Sequence, residues 1–166
     1  MRRAFSFQTR FGTGWLHYEG ERLVATSLPS VTGTCYTPST ASFPATFQAY
    51  HDALLNYFEN SRLLACPAVF FEQGSGFRAE VYRIVTGIPW GHTLSYSEVA
   101  AAAGSPGAAR AVGSAMAANR FAPFIPCHRV IHSNGSIGEY GGGITLKKAL
   151  LEMEANSNKP PRRTQP

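Results

Sequence analysis

The sequence predicts an α+β fold in two units, an α/β unit over residues 1–75 and a mainly helical unit over 76–155. Three observations carry that prediction. Aromatic residues and glycines interleave near the start, a helical apolar stripe runs through 44–60, and from Phe77 onward helix caps and glycine stops follow closely. The chain has 166 residues, 44% hydrophobic, 12% aromatic and 15% charged, enough to bury the core of one domain or two small ones.

The elements follow in order. Phe5, Phe7, Phe11, Trp15, Leu16 and Tyr18, broken by Gly12, Gly14 and Gly20, read as short strands with tight turns. A Ser/Thr/Pro/Gly-rich loop is expected over Ser27–Ser42. From Pro44 to Asn60, Phe47, Tyr50, Leu54, Leu55, Tyr57 and Phe58 keep helical spacing. Periodicity stops at Gln73-Gly74-Ser75-Gly76, which marks the boundary. Phe77, Val81, Ile84 and Val85 form a helical stripe ended by Gly87 and Pro89. Ser95-Tyr96-Ser97-Glu98 is a capping box, and its helix should stop at Gly104. Ser105 and Pro106 offer the start of a further helix reaching about Asn119. Asn134-Gly135 reads as a hairpin turn, and Gly141-Gly142-Gly143 as a loop before a helix over Thr145–Glu154. On that last helix Leu146, Ala149, Leu150 and Met153 form the buried stripe, which leaves Glu152 and Glu154 on the solvated face. Residues 156–166 read as a disordered basic tail.

No apolar run approaches the roughly 18 residues of a membrane-spanning helix, and a secretory signal is not expected. Three cysteines without a C-x-x-C pair exclude a disulfide scaffold and a zinc ribbon. The net charge of +5 is uneven. Residues 1–75 hold five basic and five acidic side chains; residues 76–166 hold ten and five. A pI near 9.4 concentrated in one half suits a polyanion, nucleic acid above all, although a merely solvated basic surface gives the same count.

The two helices joined at Gly104 make a helix-turn-helix candidate, with an ordinary helical hairpin as the plainer reading. The second helix must draw its surface from Ala108, Ala109, Arg110, Ala111, Val112, Gly113, Ser114, Ala115, Met116, Ala117, Ala118 and Asn119. A helix reading base edges in the major groove wants several outward Arg, Asn or Gln side chains. Small residues with one arginine suit close, sequence-independent approach in the minor groove, with Arg110 as the probe. A buried alanine-rich helix fits the same letters.

Ile125-Pro126-Cys127-His128-Arg129-Val130-Ile131 is the segment richest in chemistry. Neighbouring His and Arg favour the thiolate, the nucleophilic form of cysteine. Neighbours in an extended chain face opposite ways, so His128 needs a bridging water or a kink after Pro126 to serve Cys127. Most lone cysteines are inert and buried, the reading kept for Cys35 and Cys66.

Taken with Ser95-Tyr96-x-x-Val99-Ala100, Ala109-Arg110-Ala111-Val112-Gly113, Asn119, Tyr140-x-Gly142-Gly143 and Leu150-Leu151-x-x-Glu154, this segment has a likeness. Residues 76–154 resemble the C-terminal domain of the O6-alkylguanine-DNA alkyltransferases, the methylated-DNA–protein-cysteine methyltransferases that act as suicide DNA-repair proteins. Residues 1–75 resemble, loosely, that family's variable N-terminal domain of ribonuclease-H-like fold.

The resemblance implies that Cys127 is the alkyl acceptor, that His128 deprotonates it through a water, and that Glu154 orients the imidazole. Asn119 would hold the turn, and Tyr96 would donate to the guanine leaving group and help rotate its phosphate. Arg110 would fill the gap left by a flipped nucleotide. Ser95, Tyr96, Ala109, Ala111, Gly113 and Arg129 would join it against DNA, while Val130, Tyr140, Gly141 and Gly142 would wall the pocket. The implied partner is double-stranded DNA carrying O6-alkylguanine, bound by a monomer with no membrane, metal or cofactor. The implied location is the cytoplasm, at the nucleoid in a bacterium, or the nucleus in a eukaryote. Departures are Arg120 where proline is common, Arg78 for a frequent glutamine, a bulky Trp90, and no counterpart of the zinc ligands some members carry.

The chemistry agrees with that implication. An alkyl carbon on guanine lies inside the stacked duplex, so the nucleotide is extruded before attack. The thioether product has no electrophilic carbonyl for water, so one protein repairs one lesion. Two rivals stay open: a lesion sensor of the alkyltransferase-like kind, in which tryptophan usually replaces the acceptor cysteine, and a cysteine hydrolase unrelated to DNA.

Overall fold

The computed structural model describes residues 2–30, 43–60 and 76–157; Cys35, Cys66, residues 73–75 of the expected linker and the tail beyond Ser157 lie outside the described residues. The chain opens with a three-stranded antiparallel sheet, β1 (Arg2–Thr9), β2 (Gly12–Glu19) and β3 (Arg22–Ser30), in that spatial order. The pairs Thr9↔Gly12 and Glu19↔Arg22 leave two-residue turns between them. Register sets Phe5 opposite Leu16 and Phe7 opposite Gly14, so these residues share one face with Tyr18. Gly14 is demanded by contact, since a Cβ there would land inside the Phe7 ring. Ser27–Ser30, expected to open a loop, instead extend β3, because pairing with Trp15 and Thr13 fixes residues whose composition reads as loop; residues 31–42 of that expectation lie outside the described residues.

The helix α1 (Phe47–Asn60) covers the aromatic face of the sheet. Phe47, Tyr50, Leu54, Tyr57 and Phe58 are buried at the helical spacing read from sequence, each burial contributing about 1.5–3 kcal/mol. This core also takes in Phe124, Leu146, Leu150 and Met153, so the two halves of the chain share one hydrophobic interior.

A second core holds Val81, Val85, Val99, Val112, Ala115, Ile125 and Val130. It gathers α2 (Phe77–Thr86), α3 (Tyr96–Ala102) and α4 (Ala109–Ala117). Both bonds of the Ser95–Glu98 capping box are present, and α3 ends on Gly104 at φ +71. There the Ser105 N–H reaches the Ala100 carbonyl and the Gly104 N–H reaches that of Ala101, the paired bonds of a glycine helix stop. The next helix does not begin at Ser105-Pro106 as expected. Gly107 at φ +91 keeps the chain in a turn, and α4 starts at Ala109 without a side-chain cap.

A short parallel bridge between β4 (Leu94–Ser95) and β5 (Val130–Ile131) ties the start of α3 to the chemistry-bearing segment. Asn134-Gly135 forms a turn closed by the His132 N–H on the Ser136 carbonyl, but no strand follows it, so the expected hairpin is only a turn. The last helix, α5 (Ile144–Ser157), takes in Asn156 and Ser157, two residues expected in the tail. Its buried face is wider than the apolar stripe, because Lys147 and Glu154, seven residues apart, flank Leu150 and are buried with it.

Candidate active site

Pro126 leads into a 3₁₀ turn, Cys127–Arg129, closed by the Arg129 N–H on the Pro126 carbonyl. The segment is therefore tightly wound rather than extended. One turn of three residues sends each side chain a different way. Cys127, a free thiol, lines an open cavity of about 720 Å³, whereas His128 is wholly buried behind it. Asn119 braces the turn from the end of α4. Its Nδ2 donates to the Ile125 carbonyl at 2.8 Å and to Cys127 Sγ at 3.1 Å, and its Oδ1 accepts from the Phe121 N–H.

Behind the thiol lies a buried polar cluster drawn from four parts of the chain. His128 Nε2 is 2.8 Å from Glu154 Oε1, and the Tyr57 hydroxyl donates to the same oxygen at 3.0 Å while lying 3.1 Å from Nε2. Arg129 donates to both carboxylate oxygens, through Nε at 2.9 Å and Nη2 at 3.0 Å, and its Nη1 reaches the Ile88 carbonyl. The Gly91 N–H completes the shell of Glu154. Isolated charges buried this deeply cost several kcal/mol each, and mutual bonding is what makes them tolerable.

Proton positions follow from that bonding. Burial alone would raise the Glu154 carboxyl, but hydrogen bonds and charge from His128 and Arg129 outweigh it and bring the group down to about 2. Burial lowers His128 against the pull of Glu154, so the imidazole is neutral at neutral pH. A neutral ring facing a carboxylate through Nε2 carries its hydrogen there. The lone pair is then on Nδ1, which is buried and makes no hydrogen bond among the described residues. Burial raises the Cys127 thiol above its ordinary value despite the Asn119 bond and the nearby Lys147 charge. The resting sulfur is thus protonated, not the ready thiolate expected from its neighbours.

Tyr96, Ala109, Arg110, Gly113, Cys127, Tyr140 and Gly141 all line the cavity, joined by Met116, Ala117, His132 and Glu139. Arg110 and Ala111 are exposed on α4. The Tyr140 hydroxyl is buried, and its proton is held by burial and by the neighbouring sulfur. Gly142 instead packs on Leu146 and Leu28, which a Cβ would strike.

One expected assignment, that of Arg129, is corrected, and two others, Ser95 and Val130, are more enclosed than expected. Arg129, expected against DNA, is buried with its guanidinium committed to Glu154 and Ile88, leaving nothing to offer a phosphate. Ser95, also expected there, is buried and spends its hydroxyl on the helix cap. Val130, expected in the pocket, is fully buried, its N–H on the Cys127 carbonyl and its own carbonyl accepting from Lys147 Nζ at 2.7 Å.

Sequence reading missed Tyr57 and Lys147. Tyr57 looked like one more core aromatic, and only its hydroxyl distinguishes it from Phe58. Lys147 lies just beside the apolar stripe of α5, where a lysine reads as solvated. Burial lowers it to about 8, and its ammonium sits 6.0 Å from the Tyr96 ring centroid. Among the described residues no group of three or more His, Cys, Asp or Glu side chains is disposed to hold a metal.

A cysteine on the wall of an open cavity, backed by a buried His–carboxylate pair, defines a thiol-dependent protein. Residues 76–156 match the family model for the 6-O-methylguanine DNA methyltransferase DNA-binding domain. The methylated-DNA–protein-cysteine methyltransferase of Mycobacterium bovis is 40% identical over 144 residues, 85% of this chain and 86% of that protein. That of Methanothermobacter thermautotrophicus is 52% identical over 81 residues, 49% and 45% of the two chains. The crystal structure of Mycobacterium tuberculosis O6-methylguanine methyltransferase superposes at a TM-score of 0.74, with 34% identity over 97% of this chain and 96% of that one. A Mycobacterium tuberculosis relative solved in complex with DNA gives 0.74, with 36% identity and 93% of each chain covered. The chain belongs to the methylated-DNA–protein-cysteine methyltransferase family.

Proposed function

We infer that this protein repairs DNA by direct reversal, moving the alkyl group of O6-alkylguanine in duplex DNA onto Cys127, once per molecule. The observation that carries the reading is the placement of Cys127 Sγ, open to a cavity on one side and held 3.1 Å from Asn119 Nδ2 on the other. His128 draws the thiol proton onto Nδ1 through a water. The freed electron pair forms the sulfur–carbon bond as the carbon–O6 bond breaks, and the developing charge on guanine is met by the Tyr96 hydroxyl. The thiol proton ends on guanine and the sulfur as a thioether, so the balance consumes no cofactor. A raised thiol favours this order, in which the thiolate exists only while a substrate is present to take it.

The helices α3 and α4 act as a helix-turn-helix, with the small face of α4 in the minor groove and Arg110 filling the stack after the nucleotide turns out. Gly113, Ala109 and Ala111 allow the backbone to approach, and Tyr140 and Gly141 wall the pocket. Residues 76–155 are the DNA-binding and active-site unit, a division supported by the family match over 76–156. The sheet and α1 form the N-terminal unit of ribonuclease-H-like kind. The protein acts as a monomer wherever the genome lies, the cytoplasm of a bacterium or the nucleus of a eukaryote; among the described residues no helix is long and apolar enough to cross a membrane.

The test is incubation with a duplex containing O6-methylguanine, followed by mass spectrometry of the Cys127 peptide. One methyl-sized gain per molecule is the expected result. Binding without a gain would make the protein a sensor, and turnover of an ester without salt-sensitive duplex affinity would make it a hydrolase.

A further inference from the structure

We propose that Tyr57, supplied by α1 of the N-terminal half, is a positioning residue that keeps His128 a neutral base protonated on Nε2. The proposal rests on the reading of Cys127 as acceptor and His128 as its base. Its observation is the crowding of one oxygen. Glu154 Oε1 faces three donors: His128 Nε2 at 2.8 Å, the Tyr57 hydroxyl at 3.0 Å and Arg129 Nη2 at 3.0 Å. A carboxylate oxygen has about two lone pairs, so these donors compete. The bond given by Tyr57 drains charge from the oxygen that grips the imidazole.

Two consequences follow for His128. A weaker grip disfavours the imidazolium, which agrees with the lowered proton affinity of the ring. It also disfavours transfer of the Nε2 hydrogen to the carboxylate, leaving Nδ1 as the one basic nitrogen. The tyrosine ring holds the imidazole sideways as well, edge-on with centroids 6.2 Å apart, while its other side meets Trp90 at 5.6 Å. Tyr57 itself is held protonated by burial and by Glu154, so its O–H hydrogen stays available to donate to Oε1. It lies 71 and 97 residues from its two partners, and through it the N-terminal half completes the site. None of this is needed to satisfy Glu154, which already receives Arg129 on both oxygens and the Gly91 N–H.

The test compares full-length wild type with Tyr57→Phe in single-turnover methyl transfer from an O6-methylguanine duplex across pH 5–9. Without the hydroxyl, Oε1 pulls harder on His128, the imidazolium persists to higher pH, and the acid limb of the rate profile moves upward. The rate constant near pH 6.5 should fall by about tenfold, the scale of one hydrogen bond to a charged group, while duplex affinity is unchanged. Nitrogen NMR of the His128 ring in the wild type is the second readout, with the Nε2-protonated neutral form expected through neutral pH. An unmoved acid limb at unchanged rate, even with a lower melting temperature, would reduce Tyr57 to a structural tyrosine, and an Nδ1-protonated ring would overturn the proposal outright. Failure of the wild type to gain a methyl on Cys127 is a separate outcome that removes the underlying function instead.

Discussion

The two sides of Cys127 are built by opposite rules. In front lies an open cavity walled by α4, whose outward residues are mostly small and whose charged side chain, Arg110, is exposed. Behind lie Tyr57, His128, Arg129 and Glu154, buried and bonded to one another through a single carboxylate. The front exposes Arg110 and Ala111 beside the cavity and so is available to a partner. The back is saturated and leaves one basic nitrogen unused. Recognition and chemistry are separated by the thickness of one 3₁₀ turn.

Substitutions should therefore split by side. Cys127→Ser, at the boundary, abolishes transfer while leaving duplex affinity within about threefold, since a hydroxyl at this site changes little of the surface that meets DNA; binding and mass gain measured on one preparation check both halves. Glu154→Gln breaks the back. It leaves the Arg129 charge buried without its partner and should cost about 3–5 kcal/mol in urea unfolding. A loss below about 1 kcal/mol would mean the cluster is far wetter than its burial indicates.

Acid probes the same side more gently. The Glu154 carboxyl sits at about 2 when folded against an ordinary 4.5, so unfolding takes up a proton as the pH drops. The depressed value makes the stabilisation, about 3 kcal/mol, fully present above 4.5 and progressively lost as pH falls from there toward 2. Melting temperature followed through that window should drop in the wild type and much less in Glu154→Gln.

Changes on the front should spare stability. Arg110→Ala should slow repair of a base-paired lesion about tenfold or more, with little effect on methyl transfer from the free modified base, because the arginine is assigned to holding the duplex open. Equal slowing of both would sink that assignment. The mildest case is Gly113→Ala. A Cβ there meets nothing within 4 Å, so the free protein should gain about 0.5–1 kcal/mol of helix stability, seen in its thermal midpoint. Duplex affinity should fall at the same time if this face lies against DNA.

Much of the front was legible in the letters. The capping box at Ser95, the glycine stop at 104 and the small residues around Arg110 are local signals, decided by which side chains satisfy a helix end or stay out of the way. The start of α4 was not. Ser105-Pro106 carries the right chemistry for a cap, yet Gly107 turns the chain, and nothing in residue type alone ranks the two. On the back, the family likeness singled out His128 and Glu154, but Arg129 read as a DNA contact because an arginine in a basic half looks solvent-bound until its carboxylate is found.

What the sequence by itself determined was the family, most of the helices and the run that carries the candidate cysteine, because helix caps, turn glycines and the Pro126–Val130 segment act over a few residues. Only the tertiary structure decided which charges are buried and which nitrogen of His128 is free. Tyr57 and Glu154 meet across 97 residues of chain, and the protonation of a buried group depends on everything packed around it.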